Sequence, residues 1–365
     1  MKLNLGLTKG LTRHLGWFFL WLTVSFLSIE YFLYRLVGSL SEDIPRLYGS
    51  YALRSLFFLF SSAFFVAIFH INAVKQTNRQ KESFIEKSFE NRQLIRPQRV
   101  LLAGTIVANF LILALLRYNP ALFSKLALEG VFVEPLSALF LLAGSAVFCW
   151  LIFKFRRRPF HNKRWIIAGL VCLALIFFVI AMEEISWFQR AIGFETPESF
   201  ESNLQGEFNI HNFATKMFEN AYYIGAFICL IALPFLSLTS GVFRKIRGLE
   251  VFIGSRVTLC VSAVLTAYNY HYWNAFSTQF PFFLTLFILI SLGLLSHKKG
   301  IKQSCAAFAL VLIITQVAFI AWGHTMPRLW DATEYKEFFI AFGFFLYALD
   351  IKHNLREHTS RQVIG

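Results

Sequence analysis

Charge is scarce in this chain. Asp, Glu, Lys and Arg make up 15% of its 365 residues, whereas hydrophobic residues reach 56%. Soluble domains carry about a quarter charged residues, so this deficit excludes a single soluble domain. Cysteines at disulfide- or metal-forming spacing are missing as well. Cys149, Cys172, Cys229, Cys260 and Cys305 are scattered through apolar runs, with no C-x-x-C pair. An odd, dispersed set excludes a disulfide framework and a zinc cluster, and leaves small apolar packing residues. The chain also lacks an internal repeat, a low-complexity tract and any linker long enough to separate soluble domains.

What is present is a succession of apolar blocks, each some 16 to 24 residues long and separated by short charged clusters. An α-helix needs about 20 residues to cross the hydrocarbon layer. The pattern predicts an all-α bundle of about ten transmembrane spans, near 16–38, 55–74, 100–116, 135–153, 165–182, 221–239, 251–268, 281–296, 304–322 and 337–351. Residues 1–365 then form a single integral membrane domain. The basic N-terminus resembles a signal peptide, but its apolar run is too long and lacks a small-residue cleavage site, so it is read as a retained first span.

The net charge of +14 suggests nucleic acid until the charges are placed. The N-terminus, the segments 75–99, 154–164, 241–250 and 296–303, and the C-terminal tail carry 25 of the 35 Lys and Arg. These segments alternate with poorly basic ones, and the positive-inside rule puts both termini in the cytoplasm. The excess is therefore topological, and nucleic acid is not an expected partner. Acidic residues do the reverse: 14 of 21 fall on the opposite side, seven of them between Glu183 and Glu219. Topology does not require that excess, because Asp and Glu contribute little to orientation. On the basic side, Phe84, Ile85 and Phe89 sit at helical spacing and predict a short amphipathic helix on the membrane surface.

The acidic excess marks 183–220 as an extracytoplasmic polar segment, a short helical cap between two spans. If the fifth helix continues to Arg190, then Glu183, Ser186, Trp187 and Arg190 share one face. Glu183 can then pair with Arg190, while Glu184 has only apolar neighbours on its own helix. Surroundings of that kind control a carboxyl's protonation, which makes Glu184 the better proton donor or acceptor. Headgroup contact or pairing with another helix is the structural alternative. Gly193 ends the helix, and Thr196-Pro197-Glu198 predicts a short second one with Phe200 toward the membrane surface. Glu195, Glu198 and Glu201 read as solvated.

Farther on, Gly206 permits a turn, and a helix from Glu207 places Glu207 and His211 on one face at i, i+4. A carboxylate and an imidazole at that spacing can hold a divalent metal with Glu183 or Glu184. They can equally act as an acid/base pair, or simply hydrogen-bond to anchor the loop. Gln189, Gln205 and Asn212 supply polar groups around them for binding a substrate.

The string EEISW-x-QR, then TPE, then N-x-QGE-x-N-x-HN, covering Glu183 to Asn212, resembles a signature of uncharacterised bacterial multi-pass membrane proteins. The resemblance implies a bacterial inner-membrane location and a polar segment that is more than a loop. It carries no activity over to any residue.

Other loops on the acidic side can complete a site. Residues 266–281 interleave aromatics with Asn269, His271 and Asn274, which suits sugar faces and hydroxyls but also the interfacial aromatic belt. Arg328 can hold an anionic headgroup or phosphate, whereas Asp331 and Glu334 resemble a capping box. Three classes of function remain. One is an enzyme transferring or hydrolysing a sugar or phosphate group on a lipid-linked substrate, with Arg190 or Arg328 as anion clamp. The others are a partner-docking protein and a transporter or flippase; transport lacks support from inverted repeats or paired broken helices. For topology, cysteines introduced at Ser199 and in the 296–303 loop of a Cys-free background should label with an impermeant thiol reagent from opposite sides of the membrane.

Overall fold

A computed structural model of the chain describes residues 9–37, 49–80, 95–200, 202, 203, 207–240, 246 and 248–363. Gln205, Gly206, Glu201 and the expected surface helix around Phe84, Ile85 and Phe89 lie outside the described residues. Among those described there is no strand. Among the described residues nine helical segments are long and apolar enough to cross a membrane, and they coincide with nine of the ten expected spans. The tenth expectation, 16–38, overlaps α1, Lys9–Val37. Nine such helices fit a multi-pass membrane protein.

The helices follow in simple order. After α1 come α2 (Gly49–Gln80), α3 (Arg96–Tyr118), short α4 (Pro120–Leu126), α5 (Val133–Phe155) and α6 (Lys163–Glu184). Beyond the polar segment, with its one-turn α7 (Gln189–Ile192), lie α8 (Thr215–Phe227) and α9 (Leu233–Thr239). Then come α10 (Arg256–Ala263), α11 (Phe276–Leu295), α12 (Lys299–Trp322) and α13 (Asp331–Val363). α5 packs along both α6 and α13; α11 packs along α2 and α12; α10 touches α3, α12 and α13 and so sits in the middle.

Two adjacent spans are irregular, which the apolar pattern did not signal. Between α8 and α9 the chain makes a π-helical turn, Ile228–Ala232, just before Pro234. Proline has no N–H to continue the ladder, and an extra residue in the turn accommodates the break. The next span, Leu249–Ala267, strings a 3-10 turn, an extended break, α10 and a second 3-10 turn. Non-helical backbone at membrane depth must be satisfied by protein. Asn354 Nδ2 does this from α13, reaching the carbonyls of Val251 and Ile253 at 3.3 and 2.9 Å. Asp350 Oδ2 accepts from Ser255 N–H at 2.7 Å and from Thr258 Oγ1 at 2.6 Å.

Deeper in, Tyr268 donates to Asn109 Oδ1 at 3.0 Å, and Asn109 Nδ2 donates to Thr315 Oγ1 at 2.9 Å. Such paired polar groups hold helices together where apolar contact alone gives little preference. Close approach does the rest. A Cβ on Gly343 of α13 would lie 2.5 Å from Ser262 Oγ of α10 and 2.9 Å from Leu230 of the π turn. Gly343→Val should therefore lower stability in detergent by roughly 1–3 kcal/mol, the usual cost of overpacking. Gly104→Val, where a Cβ meets nothing within 4 Å, should cost far less; equal unfolding midpoints for the two would contradict this packing.

Candidate functional site

The start of α5, the end of α6 and the starts of α8 and α13 meet at one end of the bundle, and the polar segment joins α6 to α8. α6 does not continue to Arg190. It stops at Glu184, and Ser186, Trp187 and Phe188 follow with φ of 46, 53 and 64°. Left-handed backbone of this kind costs a non-glycine residue on the order of 1–3 kcal/mol and persists only where neighbours impose it. Here Ser186 Oγ donates to Glu207 Oε2 at 2.7 Å, and Trp187 Nε1 donates to Glu183 Oε1 at 2.8 Å. Gly193, at φ 77°, closes α7 as expected.

The early stop redirects Arg190. It does not pair with Glu183. Its Nε donates to Glu207 Oε1 at 2.9 Å and an Nη donates to the same oxygen, while other N–H groups reach Glu129 at 2.6 Å and Glu134 at 3.3 Å. Burial works against the guanidinium charge, but the Glu207 hydrogen bond and the carboxylates of Glu134 and Glu129 outweigh it and raise its pKa above the ordinary value. Glu134 is itself buried and accepts from the Gly130 N–H at 2.7 Å, where Gly130 takes φ 72°. One arginine thus ties the α4–α5 loop, the start of α5 and the polar segment together.

Glu183 has a different task. Its Oε2 accepts from the N–H groups of Ile210 and His211 at 2.7 and 3.0 Å, capping the short 3-10 turn His211–Phe213. His211 Nδ1 stands 3.4 Å from the same oxygen. Residues 207–210 are irregular and α8 begins only at Thr215, so Glu207 and His211 do not share a helical face. The expected pair is not formed, because each carboxylate is drawn to donors on another part of the chain. Among the described residues no group of three or more His, Cys, Asp or Glu could hold a metal ion.

The other expected binding residues are struts. Buried Gln189 donates to Thr196 Oγ1 at 2.7 Å and accepts from Phe208 N–H at 2.6 Å. Asn212 is buried, and Asn203 Nδ2 donates to the Glu207 carbonyl at 2.6 Å. Phe200 does not point to the membrane; it meets Phe208 and Phe213 at centroid distances of 4.7 and 5.5 Å and gives the segment a small core of its own. Glu195 and Glu198 are exposed. Arg328 is held by Asp331, at 2.7 Å, and donates to the Ala127 carbonyl at 3.1 Å, so it is not a spare anion clamp. His271 lies against Tyr272 in the 268–275 loop.

Glu184 makes no hydrogen bond among the described residues. It faces Glu337, Glu334 and Glu134 within electrostatic reach. Glu334 likewise has no hydrogen-bond partner, although its place in α13 reads from sequence as a capping acid. Beside them, Tyr223 donates to Glu337 Oε1 at 2.6 Å, and Lys336 Nζ lies 4.5 Å from the centre of the Tyr223 ring. Glu219, on α8, and His211 both lie within electrostatic reach of Glu337. Sequence reasoning missed Glu337, Lys336, Tyr222, Tyr223 and Glu134 as parts of this cluster. The available signal was EYKE at the edge of the apolar run 338–349 of α13, since ionisable residues within a span default to function.

Protein-family models, characterised proteins and solved structures offer no match to this chain. The site therefore has to be read from its own geometry. Removing Arg190 leaves three carboxylates facing one another, so Arg190→Gln should destabilise the protein by roughly 1–3 kcal/mol. Adding Glu207→Gln should restore part of the loss; a double variant no more stable than the single would show that the ion cluster does not hold the segment.

Proposed function

We propose that this chain is a multi-pass enzyme of the bacterial inner membrane, acting at its outer face on a lipid-linked substrate by acid/base chemistry. In this reading the chain is one integral unit of ten spans, its termini are cytoplasmic, and 183–220 forms an extracytoplasmic cap. The reading rests on one observation: among the described residues, Glu184 and Glu334, on facing helices, and Glu219 beside them on α8 carry no hydrogen bond, while the other acids nearby are engaged. Glu183 caps a turn, and Glu134 and Glu207 hold Arg190. Half-buried carboxyls crowded against other carboxyls are costly, and an acid/base pair needs groups left free for substrate.

Two such carboxyls support group transfer in a simple way. One accepts a proton from the attacking water or hydroxyl, while the other gives a proton to the leaving oxygen. Glu183, Glu207, Arg190 and His211 then act as positioning residues. They hold the left-handed turn that follows Glu184 and keep its carboxyl directed at α13. Electrostatic stabilisation of this type depends on groups fixed before the reaction begins.

A docking surface would need negative charge without exact placement. The two irregular spans favour transport, but at the break before α10 the free backbone groups are already met by Asn354 and Asp350, which leaves little there for a passing ligand. The test uses the purified chain in nanodiscs with a polyprenyl-phosphate-linked hexose, followed by mass spectrometry. Glu184→Gln and Glu334→Gln should lower turnover by about 10²–10⁴-fold at unchanged folding. Glu195→Gln, at an exposed site, should behave as wild type. Full activity in Glu184→Gln would remove the acid/base assignment, and retention in Glu184→Asp with loss in Glu184→Lys would favour a docking patch.

A further inference from the structure

The cluster between α6, α8 and α13 lacks partners of both kinds, and that narrows what can fill it. Lys336 is 6% exposed, yet no carboxylate or carbonyl among the described residues lies within hydrogen-bond distance of its ammonium. Its Nζ lies 4.5 Å from the centre of the Tyr223 ring, with Glu337 and Glu219 within electrostatic reach. The Tyr222 hydroxyl is also buried and has no hydrogen-bond partner. These are two donors without acceptors, and a buried polar group left so costs about 1–3 kcal/mol. Glu184, Glu219 and Glu334 are acceptors without hydrogen-bond donors among the described residues in the same region.

Candidate ligands can be compared on that basis. A phosphate would fill Lys336 and Tyr222 but would face Glu184, Glu219, Glu334 and Glu337, with both neighbouring arginines already committed to carboxylates. An amine would suit the carboxylates but would be repelled by Lys336 and could accept nothing from either donor. A neutral polyhydroxylated group satisfies both sets, since each hydroxyl donates once and accepts as well. The rings of Tyr222 and Tyr223, with centroids 6.1 Å apart, add apolar faces of the kind a sugar ring covers.

We infer that the cluster binds a neutral sugar, with Lys336 and Tyr222 donating to its oxygens and Glu184 and Glu334 accepting from its hydroxyls. This deepens the enzyme reading by selecting a sugar over a phosphate as the group at the carboxyls. Lys336 and Tyr222 are binding residues here, and they take no part in the proton transfers.

The full chain in nanodiscs is titrated with methyl hexosides, inorganic phosphate and spermidine, and binding is followed by saturation-transfer NMR and thermal shift. A methyl hexoside should bind at millimolar concentration, with phosphate and spermidine failing to displace it. Tyr222→Phe and Lys336→Met should each weaken sugar binding at least tenfold. If Lys336→Met fails to fold, Tyr222→Phe, which removes one oxygen, carries the test. Glu184→Gln should still bind sugar within a few fold, because an amide oxygen also accepts. Tighter binding of phosphate or spermidine, or unchanged sugar affinity in Tyr222→Phe, would overturn the inference. Sugar binding with full turnover in Glu184→Gln would instead sink the acid/base reading and leave the sugar site standing.

Discussion

The arrangement at the Glu183 end of the bundle depends on Arg190. Its guanidinium meets Glu129, Glu134 and Glu207, which come from three separate stretches of chain. Carboxylates brought together at a membrane edge repel one another, and desolvation weakens the water that would otherwise screen them. A planar cation with several donors answers this best, because it can serve different carboxylates at once. Lysine, as a single point charge, could not. The consequence reaches past the salt bridges: with Glu207 fixed, Ser186 has an acceptor, and the left-handed turn after Glu184 is held.

α13 is the second organising element, and it acts at both ends. Asp350 and Asn354 satisfy the broken backbone before α10, while Glu334, Lys336 and Glu337 enter the cluster opposite Glu184. Its middle carries Gly343, where α10 and the π turn approach closely. A long helix in contact with every irregular part of the bundle explains how two imperfect spans are tolerated. At the break before α10 the released backbone groups meet side chains of α13, and hydrocarbon offers no other partner.

The cluster at the end of α6 contrasts with its surroundings. Around it, Glu183, Gln189, Asn203 and Glu207 are bonded on nearly every side. Inside it, the carboxyls of Glu184, Glu219 and Glu334, the Lys336 ammonium and the Tyr222 hydroxyl have no hydrogen-bond partner among the described residues. A rigid outer shell with an unsatisfied interior is what preorganisation requires, since the cost of fixing the groups is met during folding. A surface that only attracted a partner by charge would have no use for the shell.

Local sequence was enough to establish the helical class, nine of the apolar spans, the Gly193 stop and the polar character of Glu183–Asn212. Those features follow from apolar run length, backbone freedom and the density of polar groups, all of which are local. It was also enough to separate Glu183 from Glu184, since neighbouring residues on a helix face different ways. The partners were another matter. Arg190 lies one short helix away from Glu183, yet it bonds to Glu129 and Glu134 from an earlier loop and helix. Glu184 faces residues of α13 that lie about 150 positions later in the chain. Helical spacing assumed that the helix went on; three left-handed residues ended it, and no local propensity predicts Trp187 and Phe188 in that conformation. Tertiary contacts imposed the turn, and the turn decided which carboxylates find hydrogen-bond donors and which, among the described residues, do not.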